Sequence, residues 1–456
     1  MLSEAHINNI SNHKYNVIDE SISSTYLKKT WQQMQSYIPF CVAPNLITLF
    51  GLLSTIISTY ICYKYYDNYP ILSTLCAIFF TIVYINLDAI DGIHARKTKN
   101  VSAVGELLDH GCDSLSTIFL TMMFCKLLNI DNNILIWKFV MTSSLGFLTY
   151  HYNSYTSPCV FSKYTGPVEI LCYFMLLTII NLVLPSIGGS IVGYFVNSIT
   201  LIFCAIYIYA FYGTFDNYMN KHHVVMTWLY KSMLIYTAFR FLRLNENTLN
   251  FEQIFYDGCA VSFVTWEVLL NKMAKRDSGM ISILALFTYY LSGFVGLASS
   301  LEIIIGYIRE ISISLNMNIF TQNVNVYCCG VYDLCHYGHK IMFKQALQYG
   351  TRLIVGVHND AEVESYKRTP IMTMEERMRE VESSKYVWKV VPDALLLISQ
   401  KELDDLNIHV VVCCQDYYND TDIWYDVPRK LGILKPIPYT KEISTTDLIK
   451  RCKNHV

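Results

Sequence analysis

Residues 88–113 read Asp88-Ala-Ile-Asp91-Gly92-Ile-His-Ala95-Arg96 and, after an eight-residue gap, Gly105-Glu-Leu-Leu-Asp109-His110-Gly-Cys-Asp113. Asp88 and Asp91 are three apart, and Asp109 and Asp113 four apart, so on helices each pair shares one face. The flanking residues are apolar enough for a membrane. Four carboxylates in such surroundings repel one another and carry a desolvation cost unless cations neutralise them. Hard oxygen donors converging from two helices suit Mg²⁺ or Mn²⁺, ions that also bind substrate phosphates. Gly92 and Gly105 allow close approach of a ligand or a neighbouring helix. Arg96, just beyond the first pair, is placed to clamp a diphosphate. The expectation is metal-assisted chemistry on a phosphate at a membrane surface. The bland alternative, solvated helix aspartates, fits a single pair better than this whole run.

Composition agrees with a membrane setting. The 456 residues are 53% hydrophobic and only 16% charged, with a mean hydropathy of +0.29. That is too apolar for an ordinary soluble protein. The long apolar runs fall within 41–318, with candidate spans near 46–65, 71–90, 106–127, 134–151, 167–185, 190–212, 223–241, 255–271, 279–297 and 299–317. Residues 1–40 read as a flexible polar tail followed by an interfacial helix at 26–39, where Leu, Trp, Met and Tyr alternate with Lys and Gln. No signal peptide is evident, so the first span is expected to target the chain. Lys28 and Lys29 before the first span, with Arg96, Lys97 and Lys99 after the second, place the acid cluster on the cytosolic side. A net charge of −2 offers no argument for a nucleic-acid partner. The 15 cysteines are scattered or adjacent, and read as reduced thiols without a zinc site.

After Met317 the texture changes. Residues 323–456 alternate strands (324–329, 353–358, 387–391, 408–414) with helices (338–349, 373–384), the pattern of a parallel, doubly wound sheet. Directly after the first strand comes Gly330-Val-Tyr-Asp333-Leu-Cys-His336-Tyr-Gly338-His339. Two imidazoles beside a helix N-terminus suit a nucleotide phosphate, donating hydrogen bonds as charge builds during displacement.

The run from Asp88 to Asp113 resembles the signature of the CDP-alcohol phosphotransferases, D-x2-DG-x2-AR-x8-G-x3-D-x3-D, at every specified position. Ala43-Pro44-Asn45-Leu-Ile-Thr48 and the stretch through Asp113-Ser-Leu-Ser extend the likeness to eukaryotic choline/ethanolaminephosphotransferases. His151-Tyr-Asn-Ser-Tyr155, Pro167-Val-Glu169 and Asn271-Lys-Met-Ala-Lys275-Arg-Asp277 are looser echoes. The C-terminal part resembles phosphocholine and phosphoethanolamine cytidylyltransferases through GVYDLCHYGH, Tyr366-Lys367, Glu375-Glu-Arg377 and Ile443-Ser444-Thr445-Thr446-Asp447.

These resemblances imply a polytopic α-helical membrane protein of about ten transmembrane helices, commonly a homodimer, with a C-terminal α/β Rossmann-like nucleotidyltransferase domain. The boundaries are 1–40, 41–318 and 323–456. Asp88, Asp91, Asp109 and Asp113 would hold two ions, Mg²⁺ or Mn²⁺. Asn45, Gly92, Arg96 and Gly105 would bind the CDP-alcohol, and His110 or Asp113 would act as base. Gly330, Asp333, His336, His339, Lys367, Arg377, Ser444, Thr445 and Thr446 would bind CTP, with His336 and His339 catalytic and Tyr425 at the head group.

The implied activity is a multifunctional one in phospholipid biosynthesis. CTP and phosphocholine or phosphoethanolamine give CDP-choline or CDP-ethanolamine, and the alcohol phosphate then passes to diacylglycerol. The setting would be the endoplasmic reticulum or another endomembrane, with membrane lipids around the helices and both active sites facing the cytosol. The family's arginine ahead of the ISTTD motif is absent from Tyr439-Thr-Lys441-Glu442, its acid before the GxxD element is Cys329, and its fourth-strand histidine is Cys414. A degenerate nucleotide-binding or scaffolding role for 323–456 therefore stays open beside an active one.

Overall fold

A computed structural model describes residues 2–13, 17–153, 159–161, 166–219, 224–244, 249–276, 280–419 and 422–455. The expected echoes at Ser154-Tyr155 and Asp277 lie outside them. The chain divides into two compact units, Met1–Lys97 with Val101–Phe320, and Thr98–Asn100 with Thr321–Val456.

The first unit runs α1 (Glu4–Ser11), β1 (Val17–Asp19), α2 (Ile22–Gln35), α3 (Pro44–Tyr65), α4 (Pro70–Lys97), α5 (Ala103–Leu127), α6 (Asn133–Asn153), β2 (Cys159–Phe161), α7 (Pro167–Val183), α8 (Pro185–Met219), α9 (Val224–Leu242), α10 (Phe251–Ala274), α11 (Met280–Leu291) and α12 (Gly293–Ser314). Among the described residues, Pro44–Tyr65, Pro70–Lys97 and Ile187–Ile206 are apolar and long enough to cross a membrane by length and composition. α5 and α10 match them in length but carry acids along their course. Those acids do their work inside the helical bundle.

The first twenty-odd residues depart from the flexible tail expected of them. Ser3 and His6 form a capping box that starts α1, and Ile10 buries against Leu107, Trp266 and Met273. Asn9 Nδ2 donates to the Ala274 carbonyl at 2.9 Å. β1 pairs in parallel with β2, Val17 opposite Cys159. The interfacial helix starts earlier than its composition suggested, because Ser21 caps it through the Ser24 N–H.

Two devices bring α5, α6, α9 and α10 together. Small residues permit close approach: a Cβ on Gly111 would meet the Trp266 ring at 2.1 Å, and one on Gly258 would meet Ile118 at 3.1 Å. A buried charge, Asp257, then accepts from Trp137 Nε1 (2.7 Å), the Tyr236 hydroxyl (2.6 Å), Gln253 Nε2 (3.0 Å) and Arg240 Nε (3.0 Å). An unpaired carboxylate would be costly at this depth, so removing any one partner loosens three helices together.

The second unit runs β3 (Asn325–Gly330), α13 (Tyr337–Ala346), β4 (Arg352–Val357), α14 (Asp360–Glu364), α15 (Met374–Glu382), β5 (Lys389–Val391), α16 (Gln400–Asp405), β6 (Val410–Cys414), α17 (Asp426–Lys430), β7 (Leu434–Ile437) and α18 (Thr445–His455). Its five strands are all parallel in the order β5-β4-β3-β6-β7. Alternate strand residues feed two cores. Val326, Val355 and Val412 pack with Phe343 and Val381, while Tyr327, Ile354 and Val411 pack with Leu403 and Tyr425. Helices cover both faces, as a parallel sheet requires. Ligand sites in such sheets lie beyond the strands' carboxyl ends, where the order reverses, here beside β3.

Gly111→Ala should destabilise the first unit by about 1–3 kcal/mol, since Trp266 has to be displaced. Gly193→Ala, where an added Cβ meets nothing within 4 Å, should not. Thermal unfolding of both variants in lipid nanodiscs checks this, and equal midpoints would contradict the close contact.

Candidate active sites

In the first unit α4 and α5 each present a pair of acids, and neighbouring helices fix their orientation. The Thr48 hydroxyl of α3 donates to Asp91 Oδ2. The Tyr84 hydroxyl of α4 donates to Asp113 Oδ1 at 2.9 Å. Ligand atoms of Asp109, His110 and Asp113 all lie within 4.8 Å of one another. His110 Nδ1 is 3.9 Å from Asp109 Oδ2 and 3.8 Å from Asp113 Oδ2. Asp109 Oδ1 is buried without a hydrogen-bond partner among the described residues.

A buried, unpartnered carboxylate oxygen amid three further acids is what a divalent-cation site would leave when its ion is removed. The donor set therefore fits Mg²⁺ or Mn²⁺.

The glycines serve as close-approach points. The Arg96 guanidinium lies over Gly92, with Nη1 3.4 Å from where a Cβ would sit. Asn45 Oδ1 stands 3.4 Å from the same point on Gly105, while its Nδ2 donates to the Ile319 carbonyl at 2.8 Å. Asp88, Arg96, Asp109, His110 and Asp113 open onto one cavity of about 1590 Å³. Its deeper walls are apolar, including Leu120, Phe124, Phe139, Phe174 and Phe195. Asp91, Gly92, Gly105 and Asn45 are not among the residues that line it.

Several residues here escaped the sequence reading. Thr48 and Tyr84 orient acids; Tyr84 precedes Asp88 by one helical turn, so its shared face was available as a signal. His151 was quoted without a role, yet it lines the cavity and its ring lies 4.9 Å from that of His110. One face of α2 also reaches the cavity through Ser24, Lys28, Trp31 and Gln32.

In the second unit the loop after β3 is held in an unusual shape. Tyr332 and Leu334 have φ of 55° and 59°, left-handed values that non-glycine residues adopt only when neighbours enforce them. The enforcer is Asp333. It is buried and accepts from the N–H groups of Ile371 and Met372 (3.1 Å each) and from Arg368 Nη2 (2.9 Å). Its own carbonyl accepts from Thr445 Oγ1 at 3.2 Å.

His336 then caps α13, its Nδ1 accepting the Gly338 N–H at 3.2 Å. His336 and His339 stack with centroids 4.0 Å apart. Gly338 lies against Ile443, whose Cγ2 is 3.2 Å from the position of an added Cβ. Ser444 begins α18 by accepting the Asp447 N–H at 3.1 Å, and Thr446 follows in its first turn. Burial, reinforced by His336, lowers the His339 imidazole to about 3. Burial beside Arg368 also lowers the Lys367 ammonium, whose charge acts on His339.

Asp333, His336, His339, Lys367 and the 443–447 turn are thus assembled around one helix start. Gly330 closes β3, where its carbonyl accepts the His358 N–H at 3.1 Å. Arg377 and Tyr425 stand apart. Arg377 is fully buried and donates to the carbonyls of Val331 (2.5 Å) and His358 (2.8 Å) and to Asp360 Oδ1 (2.6 Å). Its visible role is to brace the fold. Tyr425 is buried in the sheet core.

Residues 41–209 match the family model described as CDP-alcohol phosphatidyltransferase, and residues 327–451 the one described as cytidylyltransferase-like. The chain carries one domain of each kind. It is 34% identical to an uncharacterized CDP-alcohol phosphatidyltransferase class-I family protein of Schizosaccharomyces pombe, over 37% of this chain and 45% of that one. It is 38% identical to cholinephosphotransferase 1 of Rattus norvegicus (26% and 31%) and 38% identical to ethanolamine-phosphate cytidylyltransferase of Mus musculus (28% and 32%). The chain spans between 31% and 45% of the length of these curated relatives.

The depressed His339 has a pH signature. The unfolded chain takes up its proton near the ordinary value of 6.5, and the folded one only near 3. This contribution to stability is complete above pH 6.5 and is lost as pH falls through that window. Hydrogen exchange in β3 and β4 of the full chain should accelerate from pH 7 to pH 5, after correction for intrinsic rates. His339→Gln should flatten the dependence; an unchanged slope would contradict the buried neutral imidazole.

Proposed function

We propose that this chain, a CDP-alcohol phosphatidyltransferase domain followed by a cytidylyltransferase-like domain, carries out two consecutive steps of phospholipid synthesis. The second unit forms CDP-choline or CDP-ethanolamine from CTP and the phospho-alcohol. The first transfers the alcohol phosphate to diacylglycerol and releases CMP. What carries this reading is the convergence of Asp88, Asp109, Asp113 and Arg96 on one cavity with apolar walls. That combination suits a diphosphate ester meeting a lipid alcohol, and little else.

Two divalent ions held by Asp88, Asp91, Asp109 and Asp113 would neutralise the diphosphate and polarise the phosphorus under attack. Arg96 binds the phosphates, and the Gly92 backbone lets it lie close. Asn45 and Gly105 set the nucleotide end. Leu120, Phe124 and Phe174 exclude water and receive acyl chains. For the base we favour His110 over Asp113: an Asp113 oxygen already accepts the Tyr84 hydroxyl, whereas the His110 ring faces the cavity beside His151. His110 would take the proton of the lipid hydroxyl as that oxygen attacks.

In the second unit, His336 and His339 would donate to the CTP α-phosphate as pyrophosphate leaves. Neutral imidazoles still have one N–H each to give. Ser444, Thr445 and Thr446 at the start of α18, with Lys367 and Asp333, would complete the nucleotide site. Joining the two activities raises the local concentration of the intermediate. We place both sites on the cytosolic side of the endoplasmic reticulum or another endomembrane, in a homodimer.

A second reading keeps only the membrane transferase active. It is favoured by Arg377, whose guanidinium is engaged inside the fold, and by the missing arginine before Ile443.

His110→Ala should lower transfer from CDP-choline and CDP-ethanolamine to diacylglycerol by about 10²–10⁴-fold, with binding of the CDP-alcohol retained. His339→Ala should abolish pyrophosphate release from CTP while leaving that transfer intact. Full transfer by His110→Ala would reject the base, and no pyrophosphate from the unsubstituted chain with either phospho-alcohol would leave the second reading.

A further inference from the structure

We propose that Lys28 on α2 is a phosphate-binding residue of the membrane-domain site. This rests on the reading of that site as one for a CDP-alcohol. The cavity is lined by the first turn of α2 (Ser23, Ser24, Thr25) and then by Lys28, Trp31 and Gln32, with Lys28 one helical turn from the residues on either side. α2 is pinned there at three places. The Ser23 N–H at its start donates to Glu169 Oε1 at 2.7 Å. In its last turns, Trp31 Nε1 donates to Asn86 Oδ1 at 3.1 Å, and Gln35 Nε2 lies 3.0 Å from His94 Nδ1. Both Asn86 and His94 are on α4, two residues before Asp88 and two before Arg96. Lys28 is therefore carried by a helix registered directly against the acid-bearing helix, on the lining of the same cavity as Asp88, Asp109 and Asp113. Its neighbour Lys29 is not among the residues that line it. Tyr26 and Leu27, which do not line the cavity, are exposed.

The charge balance of the loaded site supplies the reason for a cation here. Four aspartates carry four negative charges, and two divalent ions cancel them. A CDP-alcohol brings two further negative charges on its diphosphate, with a positively charged head group attached to only one of the two phosphates. Arg96 cancels one. In a cavity with apolar walls a phosphate charge that is not met at close range is expensive, and Lys28 is a second side-chain cation on that lining. Arg96 comes from α4 and Lys28 from α2, so the diphosphate would be gripped from two elements. A lysine suits the role as a mobile point charge on a flexible stem, able to follow the phosphate as it is transferred.

The test is equilibrium binding of radiolabelled CDP-choline and CDP-ethanolamine to the full-length protein in nanodiscs with Mg²⁺. Lys28→Gln should weaken both by about tenfold, the scale of one charge-assisted hydrogen bond to phosphate. Lys28→Arg should bind within about threefold of the unsubstituted chain. Lys29→Gln should bind as the unsubstituted chain does. Lys28 is exposed, so the variants should keep the same melting midpoint. Unchanged binding in Lys28→Gln, or an equal loss in Lys29→Gln, overturns the assignment. If the unsubstituted chain binds neither CDP-alcohol, the proposed function fails rather than the role of Lys28.

Discussion

Mutual repulsion among Asp88, Asp91, Asp109 and Asp113 is the constraint around which the helical unit is arranged. Close-set carboxylates in apolar surroundings are tolerable only if each is hydrogen-bonded or neutralised by cations. Thr48 and Tyr84 satisfy one oxygen each on Asp91 and Asp113. Asp109 Oδ1 is left buried with no partner among the described residues. The protein's own donors thus meet only part of that demand. The scaffold behind serves the same end: the close approaches of Gly111 to Trp266 and of Gly258 to Ile118 set α5 against α10, and the Asp257 network ties α10 to α6 and α9.

Much of this could be read in the chain because it depends on short spacings. Intervals of three and four put each acid pair on one helix face, and the switch of period after Met317 marked the parallel sheet. His336 and His339 were legible for the same reason: strand, loop and helix start follow one another within a dozen residues. What could not be read depends on contacts between distant segments. Nothing in the first twenty residues advertises that Ile10 will bury beside Trp266, or that Val17–Asp19 will pair with Cys159–Phe161. Nor does a lysine among polar residues announce that its helix lies on a cavity.

Arg377 and Tyr425 show the opposite limit. Both were placed by motif, and motif position does not say which way a side chain points. Arg377 is held by two carbonyls and Asp360, and Tyr425 is packed into the sheet core. In each case local packing explains the residue without a ligand. Asp333 is instructive in another way. It was assigned to nucleotide binding, and its carboxylate is occupied in holding Ile371, Met372 and Arg368. By doing so it fixes the left-handed turns that deliver His336 to the start of α13.

Divalent-ion binding at the four aspartates can be measured directly. Electron paramagnetic resonance of Mn²⁺ titrated into the full-length protein, with CDP-choline present, should count two bound ions per chain, and Asp109→Asn should remove at least one. Absence of bound manganese in the unsubstituted chain, with nucleotide present, would contradict the central claim that these four acids are assembled to hold metal around a diphosphate.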